Sequence, residues 1–329
     1  MATSGSYDYS VTAANLVQSA FEDLGVLQEG DSPTSAQLAF ALRRLNMLVK
    51  QYQGRADLAP GLKIHSRKRV AVFLEGGQQS YLVGPASGDA RCATAYGRTT
   101  LDADEASSQT VISVTATTDS TTDPASSKTM TAADIIGIEL DSGVMHWSTV
   151  ASISAGDTVT IDDGLASAAS SGNAVYFFTA RGQRFPVIEA AVIRDASYND
   201  TPLYIYRTVQ EYELGNVSKL ADGRPTCVLV EPLLTQTRIT FNTQPTNLKE
   251  YVVLTVFYPA EDYDQSDGSD TLAFPQEAMA FISWELAFRC SPWAGRWTTQ
   301  MEKNRNEARA MYLNLNPEVS NDYFMVGGL

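Results

Sequence analysis

Residues 278–290 read AMAFISWELAFRC, and this stretch decides how the chain has to be built. Ala278, Met279, Ala280, Phe281, Ile282, Trp284, Leu286, Ala287, Phe288 and Cys290 spread apolar side chains over more of a helix than a single stripe. Such a helix needs cover on more than one face. Its own sheet or helices can supply one cover. The second calls for another partner, and a neighbouring copy of the chain is the economical candidate. Met279, Ile282 and Leu286 are therefore expected at a partner contact.

Working outward, Pro275 fits the first helical position, where its missing N–H costs nothing. Ser291-Pro292-Trp293-Ala294-Gly295 predicts a break. A second helical segment follows, with Trp297, Met301, Ala308 and Tyr312 at helical spacing as far as about Leu315. Trp293 and Trp297 flank the break; Trp is enriched at interface hot spots, and a corner packed on its own core uses it equally well. After Pro317 the sequence reads as extended. It carries Tyr323, Phe324, Met325 and Val326, a cluster that either tucks into its own fold or docks on a partner.

The front of the chain is also helical. Leu16, Val17, Ala20, Phe21 and Leu24 share one face, and Leu38, Leu42, Leu45, Val49 and Tyr52 another. Gly25 fits the left-handed position after the first helix, with Val26 as the apolar contact of a Schellman end. The second helix starts either with Ser32 as cap and Pro33 at N1, or with Thr34 and Gln37 as a capping box. The short loop makes the pair an antiparallel hairpin.

Strand signals fill the middle. Val70–Leu74 and Tyr81–Val83 flank Glu75-Gly76-Gly77-Gln78 and predict a β-hairpin. From about Pro85 to Gly182 the composition turns to Ala, Ser, Thr, Gly and Asp. Short apolar runs recur at Val111–Val114, Gly137–Leu140, Val159–Ile161 and Val175–Phe178. This is the pattern of a small inserted β-sandwich or barrel. Between Asp89 and Arg181 there are twelve acidic and four basic residues, a net −8 of the chain's −14, so the insert is expected to be a solvated, outward-facing lobe. Ile188–Arg194, Leu203–Arg207, Thr226–Val230, Arg238–Phe241 and Tyr251–Tyr258 are the remaining strands, with one helical turn between Thr208 and Gly215. The class is α+β: an N-terminal helical hairpin (1–66), a host β domain (67–84 and 183–260), an inserted acidic β-sandwich-like domain (85–182), C-terminal helices (261–316) and an extended tail (317–329).

Composition narrows the function. With 329 residues and 44% hydrophobic side chains the chain can bury a sizeable core. A net charge of −14 argues against gripping nucleic acid through its phosphates. Arg43, Arg44, Lys50, Arg55, Lys63, Arg67, Lys68 and Arg69 form the one basic concentration, either a strip that meets DNA or an acidic partner, or the solvated side of a helix and its loop. No membrane span and no signal peptide are expected. Cys92, Cys227 and Cys290 have neither disulfide-framework nor metal-ligand spacing. His65 and His146 are the two histidines and stand in no recognisable nucleophile motif. Asp264–Asp270 loosely resembles a calcium loop, without its ligand alternation or terminal Glu, and reads as an Asx-rich turn. Catalytic residues, metal ligands and cofactors are expected to be none.

Ala14–Tyr52, with Leu24-Gly25-Val26-Leu27, Pro33-Thr34 and Ala41-Leu42-Arg43-Arg44-Leu45-Asn46-Met47, resembles the N-terminal helical hairpin of the head-to-tail connector proteins of short-tailed bacteriophages. The types it is similar to are the tail tubular protein A and packaged-DNA stabilisation tail accessory factors. Arg224-Pro225 through Tyr258-Pro259, then Phe274-Pro275-Gln276-Glu277-Ala278 and the long helix, resemble that group's later half. Residues 85–182 have no counterpart in it. The resemblance implies a non-enzymatic virion protein made in the host bacterial cytoplasm and sited in the tail or neck. It implies a ring of identical copies, commonly dodecameric, docked on the portal protein with the tail nozzle or tube protein below. Double-stranded genomic DNA would pass through without sequence-specific binding, and there would be no membrane anchor. On that reading Met279, Ile282, Leu286, Trp293, Trp297, Tyr323, Phe324 and Met325 are the partner-binding candidates. The rivals are a nozzle, tail-tube or host-surface-binding component, and a soluble hydrolase built from scattered Asp, Ser and His.

Overall fold

The computed structural model describes residues 11–54, 67–86, 91–119, 128–215, 221–258, 268–272, 274 and 276–315. Pro275, His65, Arg55, Lys63, most of the Asp264–Asp270 loop, and Tyr323, Phe324 and Met325 lie outside them. The protein is α+β and divides into two compact units, a helical one from residues 1–67 and 259–329, and a β-rich one over Lys68–Tyr258. The described helices are α1 (Ala13–Asp23), α2 (Ser35–Gly54), α3 (Val209–Gly215, in the β-rich unit), α4 (Met279–Ala294) and α5 (Thr299–Leu315).

The ends of α1 can be accounted for donor by donor. Thr12 caps it, its hydroxyl accepting from the Asn15 N–H at 3.2 Å while its carbonyl takes Leu16. The first two N–H groups, of Ala13 and Ala14, donate to the carbonyls of Asp270 and Gly268, both at 2.9 Å. The polar loop that resembled a calcium site thus ends by satisfying a helix terminus. At the other end Gly25 is left-handed, with φ 66°. Gly25 donates to Glu22 and Val26 to Phe21, the paired bonds of a Schellman end. For α2 the capping box is the arrangement present: Gln37 accepts from the Thr34 N–H at 2.8 Å and the Gln37 N–H reaches the Thr34 hydroxyl at 3.3 Å.

The β-rich unit departs from the sequence reading at its corners. A five-stranded sheet runs β13-β12-β17-β1-β3 and a four-stranded one β14-β15-β16-β2. The first comprises β1 (Arg67–Phe73), β3 (Cys92–Ala93), β12 (Val187–Arg194), β13 (Asp200–Pro202) and β17 (Tyr251–Phe257); the second comprises β2 (Ser80–Val83), β14 (Tyr204–Tyr206), β15 (Cys227–Pro232) and β16 (Thr237–Phe241). The stretches flanking Glu75–Gln78 therefore form no hairpin, because β1 and β2 belong to different sheets. The strand read over Leu203–Arg207 is β14, and a short strand not read from the sequence, β13, precedes it in the other sheet, the chain changing sheets at buried Leu203. Period-2 patterning fixes which residues face inward but not which strand lies alongside. Val70, Ile193, Val252 and Leu254 of one sheet and Tyr81, Val228, Ile239 and Phe241 of the other share a single core.

The insert is a six-stranded sheet ordered β4-β11-β8-β9-β10-β5: β4 (Gly97–Thr100), β5 (Val111–Ser113), β8 (Ile135–Glu139), β9 (Met145–Ser154), β10 (Thr158–Ile161) and β11 (Ala174–Phe178). A small ribbon of β6 (Thr118–Asp119) and β7 (Lys128–Thr129) accompanies it. Its two edges meet. Leu101 pairs with Val114, and the N–H groups of Asp102 and Thr115 reach the carbonyls of Ser113 and Thr100 at 3.0 and 2.9 Å. The sheet therefore closes into a barrel rather than a sandwich, filled by Leu101, Ile112, Ile138, Val159, Val175 and Phe177 among others.

The barrel is not a detached solvated lobe, which corrects the expectation from its charge. All five residues of β11 are buried. Val175 and Phe177 point into the barrel, and Ala174, Tyr176 and Phe178 into the core of the two host sheets. Phe73 of β1 stacks on Phe178 at 5.5 Å and meets Tyr176 at 4.7 Å. Buried Glu105 accepts from the Ser113 N–H at 2.7 Å, and Asp102, Asp104, Asp141, Asp162 and Asp163 are exposed on loops. Asp134 has no exposed side chain and meets Lys128 at 2.9 Å.

Two glycines make room for rings opposite them. Gly97 faces Phe177, and Gly137 faces Trp147, across neighbouring strands. A Cβ on Gly97 would lie 2.1 Å from the Phe177 ring. Gly97→Ala is expected to cost about 1–3 kcal/mol by overpacking, read as a lowered unfolding midpoint in denaturant.

Candidate functional surface

In the helical unit α4 packs against α1, α2 and α5. Ile282 and Leu286 have no exposed surface, and Phe281, Ala287 and Cys290 are equally enclosed. The cover expected from a neighbouring copy is supplied by α5. Phe281 stacks on Tyr312 with ring centroids 5.1 Å apart and planes 2° from parallel, and Tyr52 of α2 meets Phe281 edge-on at 5.2 Å. Ile282 and Leu286 are thus core residues and are withdrawn from the partner-binding set; Met279 is half-buried against the same core.

A buried ion pair locks α5 onto α4. The Arg305 guanidinium donates to both Glu285 oxygens, at 2.9 and 3.1 Å, with the two side chains only 16% and 2% exposed. Its Cζ lies 3.9 Å from the Phe288 ring centroid. Burial pushes Arg305 down, but the Glu285 hydrogen bonds and charge outweigh it, and its affinity for the proton rises. Burial, then the Glu285 charge and hydrogen bond, push the Tyr52 hydroxyl up to about 12. Removing one partner strands a charge in the core. Arg305→Ala is therefore expected to lose about 3–5 kcal/mol of unfolding free energy, against a much smaller loss when Glu285 and Arg305 are replaced together by Met.

Pro292 does not break α4, which continues to Ala294 and stops at left-handed Gly295, φ 64°. A proline there deprives the Phe288 carbonyl of its donor. The Ser291 hydroxyl takes the vacant role, donating to Phe288 O at 2.7 Å. Ser291→Ala is expected to cost about 1–2 kcal/mol, and Ser291→Ala with Pro292→Ala to recover most of it by restoring the backbone N–H, both read by thermal unfolding.

That continuation places Trp293 on the surface. It is 49% exposed, with Phe40 at 5.5 Å and Phe21 at 5.8 Å. Trp297 is part-buried, meeting Phe288 at 5.1 Å and donating through Nε1 to Glu302 at 2.9 Å. Of the candidates within the described residues, Trp293 alone is strongly exposed. Sequence reasoning missed its neighbour Phe40 and, further along the same stripe, Met47, although Phe40, Arg44 and Met47 lie at i, i+4 and i+7 on α2. The Arg44 guanidinium sits 5.3 Å from the Phe40 ring centroid, and Met47 is 61% exposed. On the adjoining turn of α4, Arg289 donates to Gln51.

The groups weighed for chemistry are placed otherwise. His146 stands on β9, a ring nitrogen 3.2 Å from the Asp163 carbonyl. Burial pushes the Cys290 thiol up to about 11 against the opposing charge of Arg44, which keeps it protonated at neutral pH. Among the described residues no group of three or more His, Cys, Asp and Glu side chains is arranged to hold a metal ion, and no helix is long and apolar enough to cross a membrane.

No family model and no curated protein matches the sequence. Among solved structures, VP17, a capsid protein of bacteriophage P23-77, aligns at 10% identity over 62% of this chain and 77% of its own, with a TM-score of 0.15, too slight a likeness to carry an argument.

Proposed function

We propose that this chain is a structural virion protein of a short-tailed bacteriophage, an adaptor that forms a ring on the portal and joins it to the tail. One observation carries the reading. The helical unit closes its own core, with Ile282 and Leu286 fully enclosed, yet leaves Trp293 half-exposed beside part-buried Phe40, and Met47 exposed two turns further along α2. Clustered exposed apolar side chains on an otherwise completed core mark a protein-binding face. The resemblance of Ala14–Tyr52 and of the later half to head-to-tail connectors supplies the kind of assembly. The half-exposed Trp293 replaces the buried Ile282 and Leu286 as the residue that meets a partner.

In this reading the protein works by geometry and not by bond chemistry. One repeated contact between identical copies closes a ring. A net negative wall would repel the DNA backbone and let it slide. Mixed with the cognate portal protein, the purified chain is expected to form a stoichiometric complex with rotational symmetry, visible by electron microscopy. Failure to join the portal or the particle would overturn the proposal. Deleting residues 317–329 is expected to leave the unfolding midpoint unchanged and to weaken portal attachment, measured by co-sedimentation.

A further inference from the structure

The outward stripe of α2 does not share the charge of the rest of the chain. Over Ser35–Gly54 there are Arg43, Arg44 and Lys50 and no Asp or Glu, in a protein of net charge −14. Arg43, Arg44 and exposed Met47 share the stripe of part-buried Phe40, which meets half-exposed Trp293, and give the face the Arg, Met and aromatic character that marks the centres of protein–protein contacts. A nucleic-acid groove needs basic residues that track a backbone with interleaved rings. This face is shorter and more apolar. Its partner should be acidic, with an apolar spot.

The β-rich unit carries such a surface. β4, β8 and β10 end, and β5, β9 and β11 begin, at one mouth of the barrel. Asp102, Asp104, Asp141, Asp162 and Asp163 are exposed on the loops there. No Lys or Arg occurs at positions 99–127 or 129–180 to neutralise them. Arg98 and Lys128 belong to the other mouth, at the start of β4 and beside Asp134, just ahead of β8. Val111, 45% exposed at the first position of β5, supplies the apolar spot on the acidic mouth.

We propose that the Phe40–Arg44–Met47–Trp293 face of one copy docks on the acidic barrel mouth of a second copy. Each chain then presents one basic, apolar face and one acidic one. The contact is heterologous and repeats from copy to copy, closing into a ring or running on as a filament. The inference rests on the self-assembly in the proposed function and assigns the barrel, which has no counterpart in the connector resemblance, a role in that assembly.

Charge exchange tests it on the full chain. Asp102 and Asp163 suit reversal because no hydrogen bond from the described residues to either carboxylate holds the loops, whereas Asp141 and Asp104 accept from Ser170 and Ser171. By analytical ultracentrifugation the wild type is expected to self-associate, less tightly as salt rises. Arg43→Glu with Arg44→Glu, and separately Asp102→Lys with Asp163→Lys, should each weaken association at least about tenfold, and mixing the two variants should restore it. Trp293→Ala should weaken association at every salt concentration. Recovery in the mixture excludes misfolding as the cause of either loss. The proposal is overturned if both variants assemble like the wild type, if the mixture fails to recover, if the wild type stays monomeric throughout, or if a DNA duplex binds the wild type and is released by the Arg43 and Arg44 changes. None of these results decides the adaptor reading, which stands or falls on portal binding.

Discussion

A helix apolar around most of its circumference has to be enclosed, and α4 is enclosed by helices from both ends of the chain. α1 and α2 come from the front and α5 from the back, so nearly the whole β-rich unit is an excursion between two halves of one helical core. Enclosure also sets the internal chemistry of that core. Glu285 projects from a face that α5 covers, and Arg305 must accompany it because an unpaired carboxylate there would be prohibitively costly. Arg305 also packs on Phe288, while Trp293, further along α4 and against Phe21 and Phe40, stays half-exposed.

β11 imposes the matching constraint on the other unit. Its five side chains alternate between two apolar interiors, so neither the barrel nor the two host sheets can be completed without it. Gly97 and Gly137 are the local consequences: where Phe177 and Trp147 fill the space over a neighbouring strand, no Cβ fits. The joint explains how a segment with most of the protein's negative charge stays integral to the fold. Asp102, Asp104, Asp141, Asp162 and Asp163 sit on loops at one mouth, while the strand that joins the cores carries no charge.

The functional reading follows from what is left uncovered. Two units that each close their own interior have little need of a partner for stability, and a contact that does not complete a core can form and release during assembly. Met47 and Trp293, with Arg43 and Arg44, are exposed on the helical unit, and Asp102, Asp104, Asp141, Asp162 and Asp163 on the barrel. These features are complementary in sign and belong to different units, which is the arrangement a head-to-tail repeat requires.

The caps and turns were legible in the sequence because they are made within a few residues. Gly25 and Val26 close α1 through carbonyls three and five positions back, and Thr34 and Gln37 open α2 by bonding each other. Strand positions at Val111, Val159, Val175, Ile188 and Tyr251 were legible for the same reason, since alternation is a property of neighbours. Which apolar face met which was not. The sequence 278–290 announced that α4 needs more than one cover, but burial of Ile282 and Leu286 among helices of the same chain, the parting of β1 from β2, and the closure of the barrel through Leu101 and Val114 are long-range choices. Pro292 shows the boundary between the two kinds of information. The residue by itself ends a helix, and only the placement of the Ser291 hydroxyl on the Phe288 carbonyl lets the helix continue.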